Sequence, residues 1–212
     1  MAERPSYQPM PVPDTGNPVL EQYLIDELRR LRDAVEEGAN GWRDITSQIT
    51  VRGAGAANPS WASMGGNFSG YNFDVGDESF FSFHIPHDYQ PGTDIHLHTH
   101  WLCKNTDTTN TVKWEFEYMY ALGFDQEAFN TTGTTVTAEQ ASGAQYQHMI
   151  AESAAITIPT LTEPDGIVYA RIARITNGAT DVANGQVFML TSDVHYQSDS
   201  RATPGKAPDF YR

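Results

Sequence analysis

The clearest alternation of apolar and polar side chains runs from Thr111 to Ala121. Large aromatic residues occupy every second position, and charged or polar residues fill most of the positions between them. Since alternate residues of a strand face opposite sides of a sheet, this segment predicts a strand with one buried face. The buried face is expected to carry Trp114, Phe116, Tyr118 and Tyr120.

Weaker alternation and short apolar runs, bounded by turn residues, predict the other strands. They lie within residues 44–51, 79–85, 94–102, 131–137, 147–159, 166–175 and 186–197, with another beginning at Phe73. The glycine-rich residues 54–70 predict a long loop. No helical segments alternate with these strands, so we expect an all-β fold, a jelly-roll-like antiparallel β-sandwich.

Helical periodicity is confined to the segment before this body, residues 19–38. Asn17 is expected to cap the helix, with Pro18 at its first position and Gly38 at its end. Its apolar residues recur at spacings of three and four, which places them on one amphipathic stripe. The stripe either packs on the chain's own β-body or joins several copies of the chain. Its members, the candidate oligomerisation residues, are Leu20, Leu24, Leu28, Leu31 and Val35.

The segments on either side of the helix complete the domain organisation. Residues 1–18 are rich in proline, which fixes the backbone and removes donors, so they predict an extended arm. Arms of this kind often become ordered on a neighbouring subunit. Residues 39–212 hold all the predicted strands and no internal repeat, and are expected to form a single β-sandwich domain.

The charge and composition of the chain disfavour some classes of binding partner. The formal net charge of −14 disfavours nucleic acid and anionic membranes, because both attract basic surfaces. No apolar segment reaches the ~20 residues of a membrane helix, and the first residues lack the apolar core of a signal peptide. We therefore expect a protein synthesised in a cytoplasm. Its single cysteine, Cys103, is expected to be a buried structural residue.

The candidate chemistry is concentrated in the strand where His96, His98 and His100 alternate. Two histidines spaced in this way on a jelly-roll strand are typical of cupin metal sites, which also need a nearby glutamate and a histidine on a later strand. His195 can supply the later histidine, but no glutamate follows the strand within reach. We therefore expect no metal and no other cofactor, and the first ligands to exclude are His96, His98 and His195.

The alternative to a metal site is a half-buried layer of imidazoles. Their nitrogens would bond to backbone carbonyls or to carboxylates such as Asp88, Asp94 and Asp193. The same face could also lie at a subunit boundary, where charging of the imidazoles would make the contact depend on pH.

Other catalytic patterns are weaker still. Asp193 and His195 share a strand face from which Ser192 points away, so these residues form no local triad. The carboxylates of Glu115 and Glu117 stand on the polar side of their strand and indicate a solvated surface. We therefore expect a protein that is not an enzyme.

Three segments of the body resemble a family of structural proteins of tailed bacteriophages. They are PHDYQPGTDIHLHTHW (86–101), VKWEFEYMYALG (112–123) and DVHYQSDSRATPGKAPDFY (193–211). Residues 21–31, which follow the proline-rich arm, are similar to the N-terminal helices of many tailed-bacteriophage virion proteins. The resemblance implies an all-β, jelly-roll-like, trimeric protein on a phage particle, for example a cement or decoration protein. It supplies no catalytic residues.

These observations favour a homotrimeric virion protein on the capsid surface that stabilises the shell by contact with the major capsid protein. One alternative is an adaptor or receptor-binding protein of the tail or neck, with residues 53–72 as an exposed recognition surface. Another is a cupin-like metal-dependent enzyme that acts on a small molecule or a glycan.

Overall fold

The computed structural model describes residues 16–39, 41–51, 57–130, 133–158, 164–199, 202–208 and 210. Over these residues the chain forms one α-helix and ten β-strands. The helix is α1 (Pro18–Ala39). The strands are β1 (Gly41–Ser47), β2 (Ser60–Gly65), β3 (Phe68–Asn72), β4 (Glu78–His84), β5 (Ile95–Cys103), β6 (Thr111–Leu122), β7 (Thr134–Ala141), β8 (Met149–Glu152), β9 (Gly166–Ile175) and β10 (Val187–Ser198).

The described strands form two antiparallel sheets. One sheet has the order β2-β3-β10-β5-β8, with β1 also paired to β10, and the other has the order β4-β9-β6-β7. Strands β3 to β10 therefore follow the strand order of a jelly roll, in which two Greek keys enclose one core. The predicted all-β, jelly-roll-like sandwich is confirmed.

The core lies between the facing sides of the two sheets. Trp101 of β5 and Trp114 of β6 are both fully buried there, with ring centroids 6.4 Å apart. The predicted inward face of β6 is confirmed, because Phe116 and Tyr120 are buried as well, and Tyr118 packs partly buried against the core. The outer faces of the two sheets, which point away from the core, carry many of the polar side chains.

The glycine-rich segment forms more regular structure than the sequence predicts. The loop prediction for residues 54–70 is wrong from Ser60 onward, where β2 and β3 pair as a hairpin. Gly66 has a φ of +56° in its turn, a conformation that glycine adopts without strain. Glycine lowers the intrinsic strand propensity, but pairing of β3 with β10 holds the hairpin in the sheet.

Helix α1 begins at Pro18, the predicted first helical position. The side chain of Asn17 caps it as predicted, since Oδ1 accepts hydrogen bonds from the backbone N–H groups of Val19 and Leu20 at 3.1 and 3.3 Å. The helix continues past Gly38, its predicted end. Of the predicted arm, residues 1–15 lie outside the described residues. Within the described ranges, no helix combines the length and apolar character that a membrane crossing requires.

Candidate functional site

The alternating histidines lie on the outer face of the larger sheet. Leu97 and Trp101 of β5 are fully buried in the core. Because side chains alternate along a strand, the histidines of β5 project from the opposite face. The register of β5 with its neighbouring strands determines which side chains these histidines contact.

The two strands that pair with β5 and one strand beyond β10 supply these side chains. Strand β10 places Asp193 across from His98, and β8 places Glu152 across from His98 on the other side. On the far side of β10, β1 places Asp44 across from His195. We call the resulting group the histidine cluster. It consists of His98, His100, His148, His195, Asp44, Glu152 and Asp193.

Three atoms converge on the buried side of the histidine cluster. Nε2 of His98 lies 3.0 Å from Nε2 of His100. These two nitrogens lie 3.5 Å and 3.2 Å, respectively, from Oδ2 of Asp193. The carboxylate of Asp193 also accepts hydrogen bonds from the hydroxyls of Thr46 and Thr191, each at 3.3 Å. Two strands thus present two imidazoles and one buried carboxylate to a common point.

His98 is electrically neutral in this environment. Its side chain is 1% exposed, and this burial lowers the pKa from 6.5 to about 4, with His195 and His100 lowering the pKa further against the effect of Asp193. Its Nδ1 atom is buried and has no hydrogen-bond partner among the described residues. The imidazole therefore meets polar groups through Nε2.

The more exposed side of the histidine cluster is centred on His195. Its Nε2 lies 2.7 Å from Oδ1 of Asp44, and its Nδ1 lies 2.5 Å from Oε2 of Glu152. The ring also packs against His98, with centroids 3.9 Å apart. Both nitrogens of His195 are thus already engaged by carboxylates from flanking strands.

The three candidate metal ligands named from the sequence, His96, His98 and His195, do not all lie together in the structure. The fold brings His98 and His195 together, but His96 lies outside both sets of potential ligands. Nδ1 of His96 lies 3.2 Å from the carbonyl oxygen of Ser153, and its ring packs edge-on against Trp42. The expectation that no glutamate reaches these histidines is wrong, because sheet pairing brings in Glu152.

Sequence reasoning missed several members of the histidine cluster. No sequence pattern points to His148, although its Nε2 lies 2.6 Å from Nδ1 of His100. Of the three proposed carboxylate partners, only Asp193 meets the histidines of β5. Asp88 accepts hydrogen bonds from Tyr196 and Ser198, and Asp94 accepts one from Thr157. One sequence pattern does indicate part of the cluster: Asp193 and His195 lie two residues apart, and therefore on one face of the predicted last strand.

The candidate oligomerisation residues remain uncovered by their own chain. Among the described residues, α1 makes no extensive contact with any strand. Leu31 and Val35 are 56% and 61% exposed, and Leu20 is also exposed. Leu24 and Leu28 are only partly buried. The apolar stripe of α1 therefore has no partner within the described part of the chain.

A second apolar feature lies beside the hairpin of β2 and β3. Trp61 is 66% exposed, and its ring packs edge-on against Tyr71 with centroids 4.9 Å apart. Together with residues of β1 and β10, they line an open cleft of about 570 Å³. Ser47 and Thr191 also line this cleft, so it combines exposed aromatic rings with polar residues.

The remaining polar residues named from the sequence have structural roles. Glu115 and Glu117 accept hydrogen bonds from Arg171 at 3.1 and 3.3 Å, in a cross-strand ion-pair network. Cys103 is buried as predicted, and burial together with the charge of Asp107 raises the pKa of its thiol to about 11. Such a thiol is unreactive at neutral pH.

No protein-family model and no curated protein matches this sequence. Distant likenesses exist among solved structures. The receptor-binding domain of the spike protein P1 from bacteriophage PM2 is 11% identical over 72% of this chain and 94% of its own, with a TM-score of 0.32. An infectious bursal disease virus structure (Gx strain) is 14% identical over 82% of this chain and 34% of its own, with a TM-score of 0.39.

A third likeness is to the CBM22-1 and GH10 modules of Clostridium thermocellum xylanase 10B, complexed with xylohexaose. It is 13% identical over 78% of this chain, with a TM-score of 0.36. This chain spans about a third or less of the viral and xylanase chains that it matches. At these scores the likenesses carry no information about what this chain binds or does.

Proposed function

We propose that this chain is a non-enzymatic structural protein of a bacteriophage particle, a cement protein that self-associates through α1 as a homotrimer. In this role it stabilises the capsid surface by contact with the major capsid protein. The observation that carries the proposal is the exposed apolar stripe of α1, with which no strand of the described part of the chain makes extensive contact.

The physical reason for self-association is the free energy of burying this stripe. Exposed leucine and valine side chains gain roughly 1.5–3 kcal/mol each when they become fully buried. Helix α1 has 22 residues, and its apolar stripe from Leu20 to Val35 can present about four turns to neighbouring helices in a short bundle. The β-body then projects from the bundle as a rigid unit.

The capsid role rests on the phage resemblance of residues 86–101, 112–123 and 193–211 and on the charge of the chain. A net charge of −14 suits contact with a basic protein surface and opposes contact with nucleic acid. A cement protein acts by burying area across subunit boundaries, which raises the free energy needed to separate them.

Light scattering on the full chain tests the self-association. We expect the mass of a trimer for the unaltered chain and the mass of a monomer for Leu24→Gln combined with Leu31→Gln. The matched control is Arg29→Gln with Asp33→Gln, which places glutamines on the opposite face of α1 without changing the net charge. A monomeric unaltered chain, or a double-leucine variant that stays trimeric, contradicts the proposal.

Labelling of particles tests the location. Cys103 is buried and is the one cysteine of the sequence. Asn67→Cys, in the exposed turn between β2 and β3, therefore provides a single reactive thiol for a gold label. A cement protein should carry label over the whole shell. Label confined to the neck or tail contradicts the cement role.

The cleft beside Trp61 favours one alternative, receptor binding by a tail or neck protein. An exposed indole beside polar residues suits a sugar ring, which stacks on the aromatic face and hydrogen-bonds at its edge. Binding to a glycan array should then be lost in Trp61→Ala and kept in Phe68→Ala, which alters another exposed aromatic residue of the hairpin. No binding by the unaltered chain contradicts this alternative.

A further inference from the structure

We propose that the histidine cluster binds one divalent transition metal ion, of the zinc type, through Nε2 of His98, Nε2 of His100 and Oδ2 of Asp193. This proposal departs from the sequence-based expectation of a metal-free chain. It does not depend on the virion role proposed above.

The spacing of the three atoms is the first argument. They lie 3.0, 3.2 and 3.5 Å from one another. Zinc binds imidazole nitrogen and carboxylate oxygen at about 2.0–2.2 Å, so neighbouring ligand atoms of a tetrahedral site lie roughly 3.3–3.6 Å apart. The side chains therefore need to move by only a few tenths of an ångström to hold an ion.

Burial and charge are the second argument. Asp193 is buried, and the hydroxyls of Thr46 and Thr191 are its weak hydrogen-bond donors in this environment. Nε2 of the buried His98 and Nε2 of His100 lie 3.5 and 3.2 Å from Oδ2 of Asp193. A carboxylate is costly to bury without a countercharge, and a divalent cation held at this point supplies one.

The available lone pairs are the third argument. Nδ1 of His100 lies 2.6 Å from Nε2 of His148, and with Nδ1 of His100 as the donor of this hydrogen bond its Nε2 lone pair would be free for a metal ion. Nδ1 of His98 has no hydrogen-bond partner among the described residues, so Nε2 is the atom through which this buried ring gains polar contact. The contact between His100 and His148 is of the kind that commonly orients a metal-binding histidine through its far ring nitrogen.

The choice of ion follows from the donor set. Two imidazoles and one carboxylate suit zinc, cobalt and nickel better than calcium or magnesium, which prefer oxygen ligands. Three protein ligands leave one tetrahedral position, which a water molecule can fill. Because the ligands come from β5 and β10, the ion would join two central strands of the larger sheet.

A second set of potential ligands shares His98 but fits less well. The ligand atoms of His98, Glu152 and His195 lie within 4.8 Å of one another. Both nitrogens of His195 already face carboxylates, at 2.5 and 2.7 Å. Binding there would require His195 to leave one of these contacts, which the first set does not require.

The test uses the untagged full chain, stripped with a chelator and then dialysed against zinc sulfate. We expect elemental analysis to find one equivalent of zinc per chain, and we expect zinc to raise the melting temperature. After loading with cobalt instead, the visible spectrum should show the intense bands of tetrahedral Co²⁺. Less than a tenth of an equivalent of zinc, or a cobalt spectrum typical of octahedral hydrated ions, overturns the proposal.

Variants locate the ion. Asp193→Asn and His100→Ala each remove one ligand and should abolish the cobalt bands, while circular dichroism checks that each variant remains folded. His96→Ala, on the same strand face, is the matched control and should keep full binding. His195→Ala should also keep the bands. Their loss in His195→Ala with retention in His100→Ala would overturn this ligand set in favour of the one with Glu152.

Discussion

His98 and Asp193 lie directly across from each other in the pairing of β5 with β10, and both side chains are buried. Nε2 of His98 lies 3.5 Å from Oδ2 of Asp193, although 95 positions separate the two residues in the sequence. The pair stands on the outer face of the sheet, where a solvated surface would be expected. It is covered there by other members of the histidine cluster, among them His100 and His195.

Removing the carboxylate of this pair should destabilise the fold even in metal-free buffer. Asp193→Ala removes the acceptor of the Thr46 hydroxyl and the carboxylate beside the buried ring of His98, which costs about 3 kcal/mol for a buried group. Asp44→Ala is the matched control, since Asp44 is exposed and its ion pair contributes less than about 1 kcal/mol. Urea denaturation in the presence of a chelator measures both. Equal losses in the two variants would contradict the prediction.

Cys103 should make stability fall in mild alkali. Burial raises the pKa of its thiol from 9.0 to about 11 in the folded chain. Between these values the unfolded chain loses the proton and the folded chain keeps it. Stability is therefore unaffected below pH 9 and declines as the pH rises toward 11, by up to about 1.4 kcal/mol per pH unit.

Comparison with Cys103→Ala isolates this contribution. Burial also raises the pKa of Tyr196, to about 12, so part of the alkaline decline will remain in the variant. Urea denaturation at intervals from pH 8 to pH 11 should give a shallower decline for Cys103→Ala than for the unaltered chain. Identical declines would show that the thiol ionises normally in the folded chain.

Arg174 should resist even conservative replacement. Its guanidinium is fully buried and donates to the carbonyl oxygens of Phe73 and Val182, both at 2.6 Å. A lysine has one ammonium group and cannot reproduce both bonds of the planar fork, so Arg174→Lys should cost about 3 kcal/mol. Arg43→Lys, at a half-exposed side chain, should change stability by less than about 1 kcal/mol. Thermal denaturation distinguishes the two outcomes.

Gly166 should not accept a side chain. A Cβ atom at this position would overlap the ring of Tyr120, whose hydroxyl oxygen would lie 2.6 Å away. Tyr120 is buried, so its ring cannot move without disturbing the core. Gly166→Ala should therefore cost about 1–3 kcal/mol. Gly41→Ala, with no atom within 4 Å of the added Cβ, is the control and should be nearly neutral.

The parts of the fold that were predictable depend on local sequence. Side chains of a strand alternate between its two faces, so the buried positions of Trp114 and Phe116 can be predicted from consecutive residues alone. The cap at Asn17 follows from its own side chain and the next two backbone N–H groups. The hairpin of β2 and β3 was not predictable in the same way, because its strands are held by pairing with the distant β10.

The histidine cluster was only partly predictable for the same reason. The shared face of His96, His98 and His100 can be read from one strand. Which of them meets a carboxylate depends on the strand order and register of β1, β5, β8 and β10. The cupin pattern places a glutamate shortly after the paired histidines, and no glutamate follows His98 on its strand. In the structure, Asp193 of β10 and Glu152 of β8 lie beside His98 because their strands pair with β5.

The position of β10 has a consequence for how the chain reaches this structure. β10 pairs with β5 along one edge, and with β3 and then β1 along the other. Strands β1 and β3 precede β10 by more than a hundred residues. During synthesis they must therefore wait, with exposed backbone edges, until β10 leaves the ribosome. Such long-range pairing makes folding slow and leaves the nascent chain open to aggregation in that interval.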